Sequence, residues 1–102
     1  MGYVKAAKAG DVPLGMVKIV EVGDEEVALC NVDGEIFAVA NVCTHDDGPL
    51  GEGYLFDHQI ECPRHGARFD VRSGEVRSLP AIMPIPTYEV RIEGDDVLVE
   101  VD

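Results

Sequence analysis

Apolar residues in this chain fall in short alternating runs, and that period points to an all-β fold. Tyr88, Val90 and Ile92 alternate with Thr87, Glu89, Arg91 and Glu93, and Val97, Val99 and Val101 repeat the pattern after Gly94-Asp95-Asp96. Successive side chains of a strand point to opposite faces, so residues 87–101 predict a hairpin with one face buried. Residues 3–7, 16–22, 26–32 and 35–41 read as further strands, separated by turn signals at Gly10-Asp11, Gly23-Asp24 and Asp33-Gly34. Asp33-Gly34 suits the two-residue turn of a tight hairpin. No segment keeps apolar residues at helical spacing for three turns, so the helical content expected is one turn near residues 9–12.

Between residues 41 and 80 the rhythm changes. Asp46-Asp47-Gly48-Pro49-Leu50-Gly51-Glu52-Gly53 is too rich in glycine for a packed strand. Short β pieces are expected at 58–61 and 68–71. Residues 79–86 carry Pro80, Pro84 and Pro86, which make the segment stiff and extended. From residues alone this stretch is a loop-rich insertion, and the proline segment could be no more than a return linker.

The insertion carries the chemistry. Cys43-Thr44-His45 is followed, after sixteen residues, by Cys62-Pro63-Arg64-His65-Gly66. Each short loop offers one thiolate and one imidazole. Such a Cys₂His₂ set can hold zinc in a structural module. The mixed pairing within each loop suits a [2Fe–2S] cluster with two Cys on one iron and two His on the other. On this spacing, with Gly66 after the second His and Phe69-Asp70-Val71 beyond it, the chain resembles the Rieske iron–sulfur proteins over nearly its whole length.

That resemblance implies an antiparallel β-sandwich base, roughly residues 1–41 and 81–102, with a cluster-binding subdomain, roughly 42–80, inserted into a single domain. It implies one [2Fe–2S] cluster, with Cys43 and Cys62 on one iron and His45 and His65 on the other. It implies that the segment from Pro80 and Ala81 packs over the cluster and excludes water, and that the ligand histidines sit at an exposed tip where an electron leaves. Gly48, Gly51, Gly53 and Gly66 would let backbone approach the sulfides and adopt left-handed turns. The respiratory branch has two further cysteines, bridged to each other, where this chain has Gly48 and Arg64. It also has a Ser and a Tyr donating to cluster sulfurs, where this chain has Ala67 and Phe69. These departures resemble the ferredoxins that serve bacterial ring-hydroxylating oxygenases. The expected role is a one-electron carrier, not an enzyme, between a flavin-dependent ferredoxin reductase and a terminal oxygenase. The small subunit of an assimilatory nitrite reductase, which shares the domain, is the alternative.

Composition narrows the partners. The 102 residues include 20 acidic and 8 basic side chains, a formal charge of −12, which would repel a phosphate backbone and excludes nucleic acid as a partner. The surplus serves solubility or steers a basic partner. Arg64, Arg68, Arg72 and Arg77 cluster in and after the second ligand loop, so that end should be less acidic. No apolar run approaches the roughly 18 residues of a membrane span, and residues 1–14 lack the form of a signal peptide. A soluble, cytoplasmic monomer is expected. Three cysteines argue against a disulfide framework; Cys30, in an apolar strand, should be a buried thiol. His58, between Asp57 and Gln59, should be a solvated turn residue.

Overall fold

The computed structural model describes residues 2–44, 48–64, 66–79 and 81–101. Among them, the strands form three antiparallel sheets. The first orders β1 (Gly2–Lys8), β11 (Asp96–Val101) and β10 (Val90–Glu93), with β11 central. The second runs β2 (Val17–Val22), β3 (Glu25–Val32), β4 (Glu35–Ala40), β9 (Thr87–Tyr88). The third runs β5 (Tyr54–Phe56), β6 (Gln59–Glu61), β7 (Arg68–Asp70), β8 (Val76–Ser78) and lies wholly between β4 and β9 in the chain. The only helical pieces among the described residues are 3₁₀ turns at Ala9–Asp11 and Leu50–Glu52, so no helix is long and apolar enough to cross a membrane.

Turn chemistry sets the register of the second sheet. Asp33 and Gly34 both take positive φ, 54° and 94°, as a type I′ hairpin requires, and Val32 pairs with Glu35 across them. Asn31, buried in β3, locks this corner. Its Oδ1 accepts the Gly34 N–H at 2.9 Å, and its Nδ2 donates to the Val12 carbonyl at 2.7 Å. A buried amide bonded on both sides avoids the cost of an unmet polar group.

In the second sheet, β3 beyond Glu26 and the end of β4 are buried on both faces, whereas β2 is mostly half-buried or exposed. Val27, Leu29 and Ala38 join Val22, Val97 and Val99 in one core, toward the first sheet. Ala28, Cys30, Val32 and Val39 join Leu50, Ile60, Phe69 and Val71 in the other, toward the third. Neighbours in β3 therefore face different cores, which is why Val27-Ala28-Leu29-Cys30 is continuously apolar where a one-faced strand would alternate.

The expected C-terminal hairpin is corrected in one respect. Residues 87–93 are not one strand: Thr87 and Tyr88 pair with Val39 and Ala38 of β4, whereas Val90–Glu93 pairs with β11. The chain changes sheets at Glu89, so Tyr88 and Val90 serve different sheets. Ile92, expected on the buried face, is half exposed because β10 is an edge strand and Ile92 stands next to the Gly94 turn. β5 and β8, three residues each, are too short to show a period and carry no sequence signal. The turn expected at residues 9–12 and the strands of the first two sheets otherwise fall where the pattern places them.

Leu29, fully buried between the first two sheets, and Ile92 give a direct test of this packing. Leu29→Ala should cost about 2–5 kcal/mol in chemical denaturation. Ile92→Ala should stay within about 0.5 kcal/mol.

Candidate metal centre

Two loops present the candidate donors, and both close in the same way. The Cys43 N–H donates to the Gly48 carbonyl at 2.8 Å, and the Cys62 N–H to the Ala67 carbonyl at 2.7 Å. In each case the partner lies five residues on, so each cysteine stands at the root of a backbone-closed turn. The second loop is tightened by the Gly66 N–H on the Cys62 carbonyl at 3.1 Å. Gly66 has φ of 76°, a left-handed value that favours glycine. The Ser78 hydroxyl donates to the Gly66 carbonyl at 3.3 Å while accepting the Arg68 N–H at 3.1 Å, tying this loop to β8.

Asn41 anchors the first loop where it leaves β4. Its N–H donates to the Glu26 carbonyl at 3.1 Å, its Nδ2 to Glu26 Oε1 at 3.0 Å, and its Oδ1 accepts the Gly51 N–H at 2.5 Å. Glycine is needed beyond it for a different reason from the one expected. A Cβ at Gly53 would collide with the Glu61 carbonyl, and one at Gly51 would press on Ile19 and Asn41. Neither residue has a left-handed φ. Close packing of the loop on β2 and β6, and not a left-handed turn, demands these two glycines.

Residues 81–86 lie against the ligand loops. Ala81 is fully buried and Ile85 nearly so, both in one core with Cys43, Cys62, Ala67 and Phe69. The Thr44 hydroxyl donates to the Met83 carbonyl at 2.6 Å, linking the first loop to this segment. His45, His65 and Pro80, named above as two ligands and part of the cover, lie outside the described residues. Two buried sulfurs on matching loops, in one apolar core with Ala67 and Ala81, fit a group held by soft thiolate donors away from water. Ala67 and Phe69, both fully buried, bring no hydroxyl to that core.

A family model described as the Rieske [2Fe-2S] domain matches residues 2–89. The chain belongs to the Rieske [2Fe–2S] family. It is 44% identical over 102 residues to the ferredoxin component of biphenyl 2,3-dioxygenase from Rhodococcus jostii (strain RHA1), covering 100% of this chain and 95% of that protein. The fold is similar to that of a Sphingomonas yanoikuyae B1 ferredoxin, with TM-score 0.93, 34% identity and coverage of 99% and 100%. It is also similar to a chain in a complex of reduced oxygenase and oxidised ferredoxin of carbazole 1,9a-dioxygenase, with TM-score 0.88, 34% identity and coverage of 95% and 91%. The chain is thus a Rieske-type ferredoxin whose cofactor is one [2Fe–2S] cluster, and it carries electrons without being a catalyst.

Cys30, His58 and a group of ion pairs complete the surroundings of this Rieske site. Cys30 faces the same core, but burial pushes its thiol up to about 12, so it stays protonated and inert. His58 does sit in the β5–β6 turn, as expected, yet it is not freely solvated: it is half-buried, with its ring edge-on to Phe37 at 5.7 Å and 78°. The arginines expected to make this end less acidic are paired with carboxylates, three of them against two. Arg68 pairs with Glu61 at 2.8 Å, and Arg72 and Arg77 both pair with Asp70, at 2.9 and 3.1 Å.

The hydrogen bonds from Arg72, followed by those from Arg77, outweigh burial and hold the Asp70 carboxyl well below the usual carboxylate range. A carboxyl depressed in the folded state stabilises the fold above its unfolded pKa of about 4 and loses that contribution as pH falls toward the folded value. Stability, followed by circular dichroism, should therefore fall more steeply between about pH 4 and pH 2 in the wild type than in Asp70→Asn.

Proposed function

We propose that Cys43 and Cys62 hold one iron of the cluster and His45 and His65 the other, and that the chain passes single electrons from a flavin-dependent reductase to a terminal oxygenase. The observation that carries the ligand reading is the matched pair of buried cysteines, each at the root of a turn closed five residues on. The oxygenase reading draws support from the relatives, one a component of a biphenyl dioxygenase and one solved with its oxygenase. In this reading residues 42–80 form the cluster-binding part of one domain, on a base of residues 1–41 and 81–102, and the carrier works as a cytoplasmic monomer.

The cluster, when bound, supplies one-electron transfer; the chain's residues determine how well it is held and how readily it accepts the electron. The two backbone-closed loops fix the cysteines without calling on long side chains. Gly66, with its left-handed φ, lets the second loop turn tightly, and the buried Ala81 begins the described part of the segment that would exclude water. Leu79, Ile82 and Met83, at 75%, 81% and 61% exposure, form an apolar rim on and beside that segment. With Thr44 bonded to Met83 next to His45 in sequence, this rim is where a partner would seat against the cluster end.

Protein purified without oxygen should hold two irons and two acid-labile sulfides per chain. Cys43→Ala and Cys62→Ala should each lose the red-brown absorption and much folded stability, since metal binding is coupled to folding. Cys30→Ala should keep both. Iron retained without Cys43 or Cys62, or lost without Cys30, would overturn the assignment. The oxygenase role is checked by single-turnover stopped flow, in which the reduced chain should reoxidise with an oxygenase of this class and not with a sirohaem nitrite reductase.

The potential follows from Ala67 and Phe69. Reduction adds a negative charge, so each hydroxyl donated to a cluster sulfur favours the reduced form; neither residue has one to donate. A redox titration should give a midpoint near the low end of the Rieske range, on the order of −150 mV. Ala67→Ser and Phe69→Tyr should each raise it. A wild-type value well above zero would mean that other donors supply the bonds.

A further inference from the structure

The Asp70 carboxylate is 3% exposed and accepts four hydrogen bonds. Oδ1 takes the Arg72 backbone N–H at 2.8 Å and Arg72 Nε at 3.1 Å; Oδ2 takes Arg72 Nη2 at 2.9 Å and Arg77 Nη2 at 3.1 Å. The backbone of the same residue closes the turn that follows β7. The Asp70 N–H donates to the Glu75 carbonyl at 2.8 Å, and the Gly74 N–H to the Asp70 carbonyl at 2.7 Å. Gly74 carries this rigidity outward: its carbonyl accepts the Ile85 N–H at 3.0 Å, and even a Cβ at 74 would strike the Ile85 carbonyl. Ile85 is buried in the core that holds Cys43, Cys62 and Ala81. The segment over the ligand loops is therefore pinned at three points: by Thr44 on the ligand side, by Gly74 on the far side, and at its end by the Ala40 N–H on the Pro86 carbonyl at 2.9 Å.

We infer that Asp70 is a positioning residue for residues 81–86, its paired arginines stiffening the turn from which that segment hangs and so keeping water off the cluster. This rests on the ligand reading above, because the segment covers a cluster only if Cys43 and Cys62 hold one beneath it. An ordinary ion pair would not need this placement. The comparable Arg68–Glu61 pair bridges neighbouring strands β6 and β7, whereas the Asp70 turn is bonded to the covering segment itself. Solvent access is one of the levers on an iron–sulfur potential. The added electron makes the site more negative, and water solvates that charge, so loosening the segment raises the midpoint.

The test compares wild-type holoprotein with Asp70→Asn and Arg77→Gln. The second variant leaves the Arg72 contacts in place, so it remains informative if the first folds poorly. Hydrogen exchange by mass spectrometry reads residues 81–86 against β11, and the rate of colour loss under a chelator and a redox titration read the cluster. In both variants exchange over 81–86 should quicken severalfold with β11 unchanged, colour loss should quicken, and the midpoint should rise. The two substitutions change local charge in opposite senses, so a shared rise cannot be a direct charge effect. Exchange rising equally in β11 would mark general destabilisation, and midpoints moving in opposite directions would mark simple Coulombic influence; either overturns the proposal. Iron kept by Cys43→Ala would instead unseat the ligand reading and leave the exchange comparison to stand by itself.

Discussion

A strand buried on both faces must serve two cores with one set of side chains, and this chain is arranged around that constraint in β3. In β3, Val27 and Leu29 face the first sheet while Ala28 and Cys30 face the ligand loops. A one-residue slip in register would exchange those faces, sending the larger side chains toward the cluster and the smaller ones into the base. The type I′ turn at Asp33-Gly34 and the doubly bonded Asn31 amide prevent that slip. Cys43 and Cys62, the proposed metal ligands, thus rest on a wall whose position is set by a turn and a buried amide some distance away in the chain.

On that wall the donors are held mainly by backbone. Each ligand loop is closed by its own cysteine amide, and the side-chain bonds that reinforce it come from Thr44 within the first loop and from Asn41 and Ser78 outside. Such closure fits a site that must remain the same in two oxidation states, because preorganised backbone does not need to rearrange when charge changes. The acidic surplus is kept from undoing it. Arg68, Arg72 and Arg77 each meet a carboxylate beside the site, so the local field is closer to neutral than the formal charge of −12 implies.

What could be read in advance was what has a period or a spacing. Strands of six to eight residues declare themselves by alternation or by a continuous apolar run, and the two Cys–His loops by a spacing that few other chemistries need. What escaped depends on contacts between segments distant in sequence. The change of sheet at Glu89 has no local signature, since residues 87–93 alternate without interruption across it. The need for Gly53 comes from the Glu61 carbonyl, and the edge packing of His58 from Phe37; neither is a neighbour in sequence. Asp70 lay within a recognised run, Phe69-Asp70-Val71, and arginines two and seven residues on were a legible hint of its ion pairs. Its link to residues 81–86 was not legible, because Gly74 and Ile85 meet only in the folded chain.

An electron carrier needs a potential that lies between those of its donor and its acceptor, and two independent features of this site bear on it. One is chemical: Ala67 and Phe69 occupy buried positions where a hydroxyl would favour the reduced form, and they offer none. The other is mechanical: in the proposed reading residues 81–86 limit water, which would also favour the reduced form, and they are fastened at Thr44, Gly74 and Ala40. Both push the same way, toward a cluster that gives up its electron readily. They differ in what could change them. The first is fixed by composition, whereas the second depends on hydrogen bonds within reach of the exposed rim of Leu79, Ile82 and Met83. A partner seated on that rim would further restrict water at the cluster end, so docking itself would lower the potential and favour release of the electron to the partner.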